Sequence, residues 1–410
     1  MTARYPLIIN DSMKYNLLNL RQEVREELLH NILPWWMEHM PDDRTGGFHG
    51  RIDGKGELKG DASRGGVLNA RILWTFSSAV RQLKNELYLP FATRAFDYIQ
   101  QHFIDPEQGG TYWELNPDGS VKDPKKQIYA QAFFAYAFTE YFRATGDNRA
   151  LANARQLFHL IEEKSFDKEK NGYFEAYSRD WQLLDDRRLS AKDANEKKTM
   201  NTHLHILEAY TNLFRVWKDD VLRKQLHNLI ELFLSNILNQ QTHHLSLFFD
   251  EEWNRKSQRI SYGHDIEAAW LLVEAAEVLG DKALLRKVEQ RSVWVTAAAA
   301  EGWQPDGSLI NETDPATGHT DSNRDWWVQA EAMVGFYNAY SISGDEKYAQ
   351  QVLYTWEYVK LYLIDRQQGE WFWAASPEGQ PDTVNDKAGF WKCPYHNSRM
   401  CFEVMQRIKS

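Results

Sequence analysis

Six short segments rich in turn residues and aromatic side chains recur along the 410-residue chain at nearly constant spacing. A chain that repeats one supersecondary unit this often is restricted to architectures that stack that unit. The segments read TGGFHGRIDGKGEL around Gly47, QGGTYWELNPDGSV around Gly110 and KNGYFEAYSRDWQL around Gly172. They continue with THHLSLFFDEEWNR around Leu245, WQPDGSLINETDP around Gly307 and QGEWFWAASPEGQP around Gly369. Successive steps are 63, 62, 73, 62 and 62 residues. Five of the segments alternate about Asp-Gly, Arg-Asp or Glu-Gly pairs, as strand–turn–strand units do. The segment around Gly307 matches less well.

Between these segments the period becomes helical. The stretches 68–83, 128–146, 202–217, 264–280 and 326–340 are apolar on almost every face, which predicts helices buried on every face. Each is followed by a one-sided helix, such as 221–238, with charge along one edge. A first amphipathic helix over about 15–40 and a last inner helix starting near Pro394 complete the set. Six helix pairs joined by six hairpin-like loops predict an all-α, single-domain (α/α)6 barrel over residues 1–410, with six inner and six outer helices. An open helical solenoid is the alternative. Closure is favoured because a whole number of pairs sets the last inner helix beside the first outer one. The polar stretch 185–199 is expected to be a long loop over one face.

Composition narrows the function. The net charge of −10 argues against nucleic acid or anionic membrane as a partner. Two cysteines, Cys393 and Cys401, exclude a disulfide framework and a cysteine-based zinc site, and both are expected to be buried and inert. The N-terminal residues lack the apolar core of a signal peptide, and no run of about 18 apolar residues occurs, so a cytoplasmic protein is expected. No GxSxG, P-loop or GxGxxG motif is present, and the sequence implies no cofactor. The 16 Trp, 19 Tyr and 20 Phe suit both cores and stacking on sugar rings.

In a closed helical barrel the pocket lies where the inner helices begin. Polar residues gather there: Arg64, Asn69 and Arg71; Tyr129 and Gln131; Asn201, His203 and His205; His264, Asp265 and Glu267; Trp326, Trp327, Gln329 and Glu331; Trp391, Lys392, Tyr395, His396, Asn397 and Arg399. Polar groups on buried helices need partners, so their recurrence at one end predicts a lined cavity. His205, His264 and His396 are the candidates for proton transfer near neutral pH. The other histidines are expected to be packing or surface residues, with His243 and His244 in a hairpin. His203 and His205 lie about 200° apart around a helix and cannot chelate one metal together, and HExxH is absent. Glu267, one turn from His264, is either the orienting partner of that imidazole or a simple cap or ion pair. Arg71 is either a donor to a developing oxyanion or a bridge to an inner carboxylate.

The segments LNARILWTFSSA, SAKDANEKKTMNTHLHILEAYTNLFRVW, GHDIEAAWLL, DWWVQAEAMVGF and FWKCPYHNSRMCFE resemble the cellobiose 2-epimerases of the N-acylglucosamine 2-epimerase superfamily, from about residue 15 to the C-terminus. The resemblance implies an (α/α)6 barrel and an isomerase that inverts C2 of an aldose. It implies that His264 and His396 are the acid–base pair at C2, that His205 is essential, and that Arg71 contacts the reacting end of the sugar. Tyr129, Asp193, Asn201, Glu267, Trp327 and Trp391 match further substrate-contacting or supporting positions. The implied substrate is the reducing-end glucose or mannose of a β-1,4-linked disaccharide. Free mannose and glucose are the alternative substrates. A glycoside hydrolase on the same fold, which needs two flanking carboxylates, and a non-catalytic sugar-binding protein are the readings from other classes. A small-molecule sugar is the expected partner, and the chain is expected to be a monomer or weak homo-oligomer.

Overall fold

The computed structural model describes residues 11–409. Helices alternate between an outer and an inner layer along the whole of that span. The outer helices are α1 (Asp11–Glu27, continued by a π-helical turn Leu28–Ile32 and by Leu33–His39), α3 (Leu89–Tyr98), α5 (Asn148–Lys164), α7 (Asp220–Leu232), α9 (Lys282–Ala299) and α11 (Glu346–Tyr358). The inner helices are α2 (Gly66–Leu83), α4 (Ile128–Thr145), α6 (Met200–Val216), α8 (Tyr262–Leu279), α10 (Trp326–Ser343) and α12 (Tyr395–Arg407). The five inner helices predicted from all-round apolarity begin within two residues of their expected starts, and the last begins one residue after Pro394.

The local sequence explains the alternation. Gly146 and Gly280 end α4 and α8 in the left-handed region, at φ of 76° and 81°, which glycine adopts without steric penalty. The next residues, Asp147 and Asp281, cap the following outer helices by accepting from backbone N–H groups. Each Gly-Asp pair thus closes an inner helix and opens an outer one.

The ring is closed. Each inner helix packs on its two inner neighbours, and α12 packs on both α2 and α1. This rules out the open solenoid. Short antiparallel ladders stitch the upper face in the same order. Arg64–Gly65 pairs with Glu114–Leu115, Lys126–Gln127 with Ala176–Tyr177 and Lys198–Thr199 with Phe248–Phe249. Ile260–Ser261 pairs with Glu312–Thr313, and Arg324–Asp325 with Ala374–Ala375. The last joint joins the two ends of the chain, where Ile52 pairs with Ala388. Every two-residue strand before an inner helix is therefore tied to the hairpin of the next repeat.

Buried ion pairs pin this face. Arg64 meets Asp42 at 2.5 Å, Lys126 meets Asp105 at 2.9 Å and Lys198 meets Asp167 at 2.8 Å. Lys387 meets Asp365 in the same way. Each of these aspartates also accepts from backbone N–H groups two and three residues ahead, so each holds its turn and its basic partner together. The fifth repeat departs from the pattern: its first hairpin bridge, Trp303 with Leu309, spans one residue fewer than the others, and its second hairpin, Glu312–Asp314 with His319–Asp321, is a longer ladder. This accounts for its weaker sequence match. Among the described residues no helix is long and apolar enough to cross a membrane.

Candidate active site

The repeat register sorts the polar residues of the inner-helix starts into two layers. Five residues beyond Arg64, Lys126, Lys198, Ile260, Arg324 and Lys392 stand Asn69, Gln131, His203, Asp265, Gln329 and Asn397. Most of these bind the hairpins. Gln131 exchanges both hydrogen bonds with the backbone of Thr111, and Gln329 does so with Leu309. His203 Nε2 accepts from the backbone of Tyr173. Asp265 accepts from Leu245 and pairs with His244 at 2.7 Å. His244, expected to be an ordinary loop residue, is therefore a buried clamp. Arg64 and this whole layer hold the fold and do not belong to the site.

Seven residues beyond the same positions stand Arg71, Phe133, His205, Glu267, Glu331 and Arg399. They form a ring of contacts. The Arg71 guanidinium lies 4.3 Å from the Phe133 ring centroid, and Phe133 lies 4.6 Å from His205. Arg399 Nη2 donates to Glu267 and Glu331 at 2.6 Å each, and Nη1 donates to Glu208, one turn below His205. All are buried. Unpaired buried charges are strongly destabilising, so one guanidinium gathers three carboxylates. Glu267, Glu331 and His396 bring donor atoms within 4.8 Å of one another, a grouping able to hold a metal ion. The Arg399 guanidinium already supplies a positive charge to both of those carboxylates.

The three histidines are held differently. His205 Nδ1 meets Glu208 Oε2 at 2.9 Å, and His396 Nδ1 meets Glu331 Oε1 at 2.7 Å. A carboxylate accepts only, so each ring donates to it through Nδ1. Burial pushes Glu208 up, but Arg399 and His205 outweigh it and hold its carboxyl down at about 2. Burial, followed by nearby Arg71 and Arg399, pushes His396 well below the usual imidazole range. His264 Nδ1 lies 2.7 Å from the Ser261 hydroxyl. Burial, with nearby His205, lowers its pKa to about 3. Both rings are therefore neutral at pH 7 and able to accept a proton. Glu267 does not orient His264; its bond is to Arg399, and burial together with Glu331 raises its pKa.

Arg71 is the unusual charge. Nη2 donates to the Tyr129 hydroxyl at 3.0 Å, Nη1 reaches Cys393 Sγ at 3.6 Å, and Nε has no partner. The guanidinium sits between the rings of Phe133 and Tyr395, at 4.3 and 4.9 Å. Among the described residues no carboxylate pairs with it, so the bridge to an inner carboxylate is not formed.

The remaining expected residues join the same place. The Tyr129 ring lies 4.9 Å from His205 and 6.0 Å from Trp391. Trp327 contacts two histidines, with ring centroids 5.0 Å from His264 and 5.7 Å from His396. Asp193 and Asn201 line a cavity of about 70 Å³ with His264 and Ser261, under the 185–199 loop. The Asn201 side-chain oxygen is buried there without a partner. All ten residues singled out from sequence are thus linked by contact or shared cavity wall. Glu331, Tyr395 and Arg399 were expected as cavity-lining residues but given no role, and Glu208 and Ser261 were not expected. The seven-residue register would have singled out Glu331 and Arg399, because it carries Arg71 and His205 as well.

Sequence comparison matches residues 46–398 to N-acylglucosamine 2-epimerase (GlcNAc 2-epimerase). The chain belongs to the N-acylglucosamine 2-epimerase family. Within that family it is 54% identical to the cellobiose 2-epimerase of Bacteroides fragilis over 386 residues, 94% of this chain and 98% of the relative. The solved structure of cellobiose 2-epimerase from Bacillus thermoamylovorans B4167 superposes with a TM-score of 0.91 at 43% identity, over 95% of this chain and all of the other. A D-mannose isomerase structure superposes with a TM-score of 0.80 at 19% identity, over 97% of this chain and all of the other, a likeness of fold alone. Members of this family act as carbohydrate epimerases, and this chain is an isomerase of that kind.

Proposed function

We propose that the protein interconverts the glucose and mannose configurations at C2 of the reducing-end residue of β-1,4-linked disaccharides. The observation that carries this reading is Arg71, a buried cation with no paired carboxylate among the described residues, which bonds Tyr129 and acts electrostatically on His396. Burying a charge in that way is unfavourable unless a ligand completes it. Inverting C2 of an aldose passes through an enediolate, whose negative oxygens match a fixed guanidinium.

The chemistry follows from the side chains. The open-chain aldehyde acidifies the C2 proton. A neutral imidazole removes it, and an imidazolium on the opposite face returns a proton. His264 and His396 come from separate inner helices and both lie against Trp327; separate helices suit two bases on opposite faces of one carbon. Arg71 and Tyr129 stabilise the oxygens at C1 and C2. His205, held by Glu208, positions the sugar oxygens and exchanges protons during ring opening. Asp193, Asn201, Glu267, Trp327 and Trp391 bind or support the sugar. We take residues 1–410 as one catalytic domain, acting as a monomer or weak homo-oligomer without a cofactor.

A hydrolase would need two carboxylates free to flank a glycosidic bond. Glu208, Glu267 and Glu331 are all bonded to Arg399, which favours the epimerase. Proton NMR of the protein in D₂O with cellobiose, mannobiose, glucose and mannose tests the reading. Deuterium entering C2 of the disaccharides, with glucose-type and mannose-type anomeric signals converging, is expected. Exchange confined to free glucose and mannose would move the assignment to a mannose 2-epimerase. Cleavage without exchange at C2 would refute both.

A further inference from the structure

We infer that Ser261 is a positioning residue, which holds His264 in its working orientation through an uncharged hydroxyl and so keeps that imidazole free to take up and release a proton. The inference rests on the epimerase reading and extends it to a residue outside the expected set.

The three site histidines use the same ring atom for support but different partners. His205 and His396 hold Nδ1 against carboxylates, whereas His264 holds it against the Ser261 hydroxyl at 2.7 Å, a group that can donate or accept. A carboxylate fixes the ring and also stabilises the imidazolium. A hydroxyl fixes the ring without a counter-charge. Ser261 is itself fixed. It ends the short strand that pairs with Glu312–Thr313, and it caps α8 by accepting from the His264 backbone N–H. Its side chain therefore cannot move away without loosening the helix start.

The charges around the ring leave Ser261 as its support. His205 of α6 acts to lower the proton affinity of His264. Glu267 of α8 is taken by Arg399, and His396 of α12 is held by Glu331 and, like His264, contacts Trp327. The cavity wall carries Glu175, Asp193, Glu196 and Glu312 opposite Arg187, Arg188 and Arg259. Of these, Glu175 is taken by Thr199 and Thr202, Asp193 by Ser190, Arg188 by Asp186, and Arg259 pairs with Glu312. Among the described residues none of them is bonded to the His264 ring.

Asn and Asp have the same shape and both cap helices well, so Ser261→Asn and Ser261→Asp separate charge from geometry. Two readouts are used: the pH profile of C2 exchange with cellobiose in D₂O, and an NMR titration of the His264 ring. In S261D the ring is expected to titrate more than about one pH unit higher than in S261N. The acid limb of turnover moves up in pH with it. S261N and S261T keep the wild-type limb, and thermal melts of all three stay close to wild type. Equal titration of His264 in S261D and S261N, or equal limbs in both, would overturn the inference. Absence of C2 exchange in the wild type would refute the epimerase reading instead. The His264 titration would still decide the role of Ser261.

Discussion

Arg71→Met separates catalysis from stability. Among the described residues the guanidinium has one hydrogen bond to oxygen, the 3.0 Å bond to Tyr129, and no paired carboxylate. Losing that bond costs about 1 kcal/mol. Methionine retains most of the packing between Phe133 and Tyr395. Removing the charge also removes the penalty of burying it, which amounts to several kcal/mol in roughly such sites. The variant is therefore expected to unfold in urea at a midpoint equal to or above that of the wild type. Turnover should respond in the opposite direction. A preorganised donor to a developing oxyanion contributes about 2.7–4 kcal/mol, so kcat is expected to fall by about 10²–10³ with KM changed little. Deuterium entry at C2 of cellobiose, followed by NMR, gives the rate. Loss of more than about 3 kcal/mol of stability, the scale of a broken buried ion pair, would show that Arg71 is a structural bridge and refute the reasoning. Turnover within about threefold of wild type would refute it from the other side, since removing a donor that acts on the transition state lowers the rate far more.

Arg399→Met should behave in the reverse way, because it strands Glu208, Glu267 and Glu331 without their shared cation. A loss of about 3–5 kcal/mol is expected. The stranded carboxylates bind protons above their unfolded range, so the deficit should grow as pH rises from 5.5 to 8; equal deficits in denaturant melts at the two values would contradict this. His203 has its pKa lowered by burial to about 4, so the folded state resists its protonation, and stability is lost as pH falls from about 6.5 toward 4. His203→Gln, which imitates Gln131 and Gln329 at the same register, should remove that part of the acid sensitivity while leaving C2 exchange near normal; unchanged acid melts would refute it. Glu331→Gln frees the His396 ring to adopt either tautomer, and a fall in kcat of about tenfold or more with little change in melting is expected.

Most of the barrel is legible in the sequence. The period of about 62 residues, the all-round apolarity of the inner helices and the Gly-Asp pairs between layers each depend on residues close in the chain. His205, His264, His396 and Arg71 stood out because they are polar on helices that are otherwise apolar. The partners of those residues did not stand out. Glu267 is one turn from His264 and looks like its partner, yet its bond crosses to Arg399, 132 residues away. The partner of His396 is Glu331, 65 residues away, and that of His264 is Ser261, at the strand end just before the helix. His244 looked like a loop residue and is a buried clamp on Asp265.

By itself the sequence determined the repeat, the two helical layers, the hairpins on one face and the residue types that carry the chemistry. These follow from periodicity and turn preference, which act over a few neighbouring residues. Only the tertiary structure decided that Arg399 gathers three carboxylates, that Arg71 is left without one, and that one histidine rests on a hydroxyl while two rest on carboxylates. Those outcomes depend on how far each inner helix is rotated about its own axis. That rotation is set by packing around the whole closed ring, which no local stretch of sequence contains.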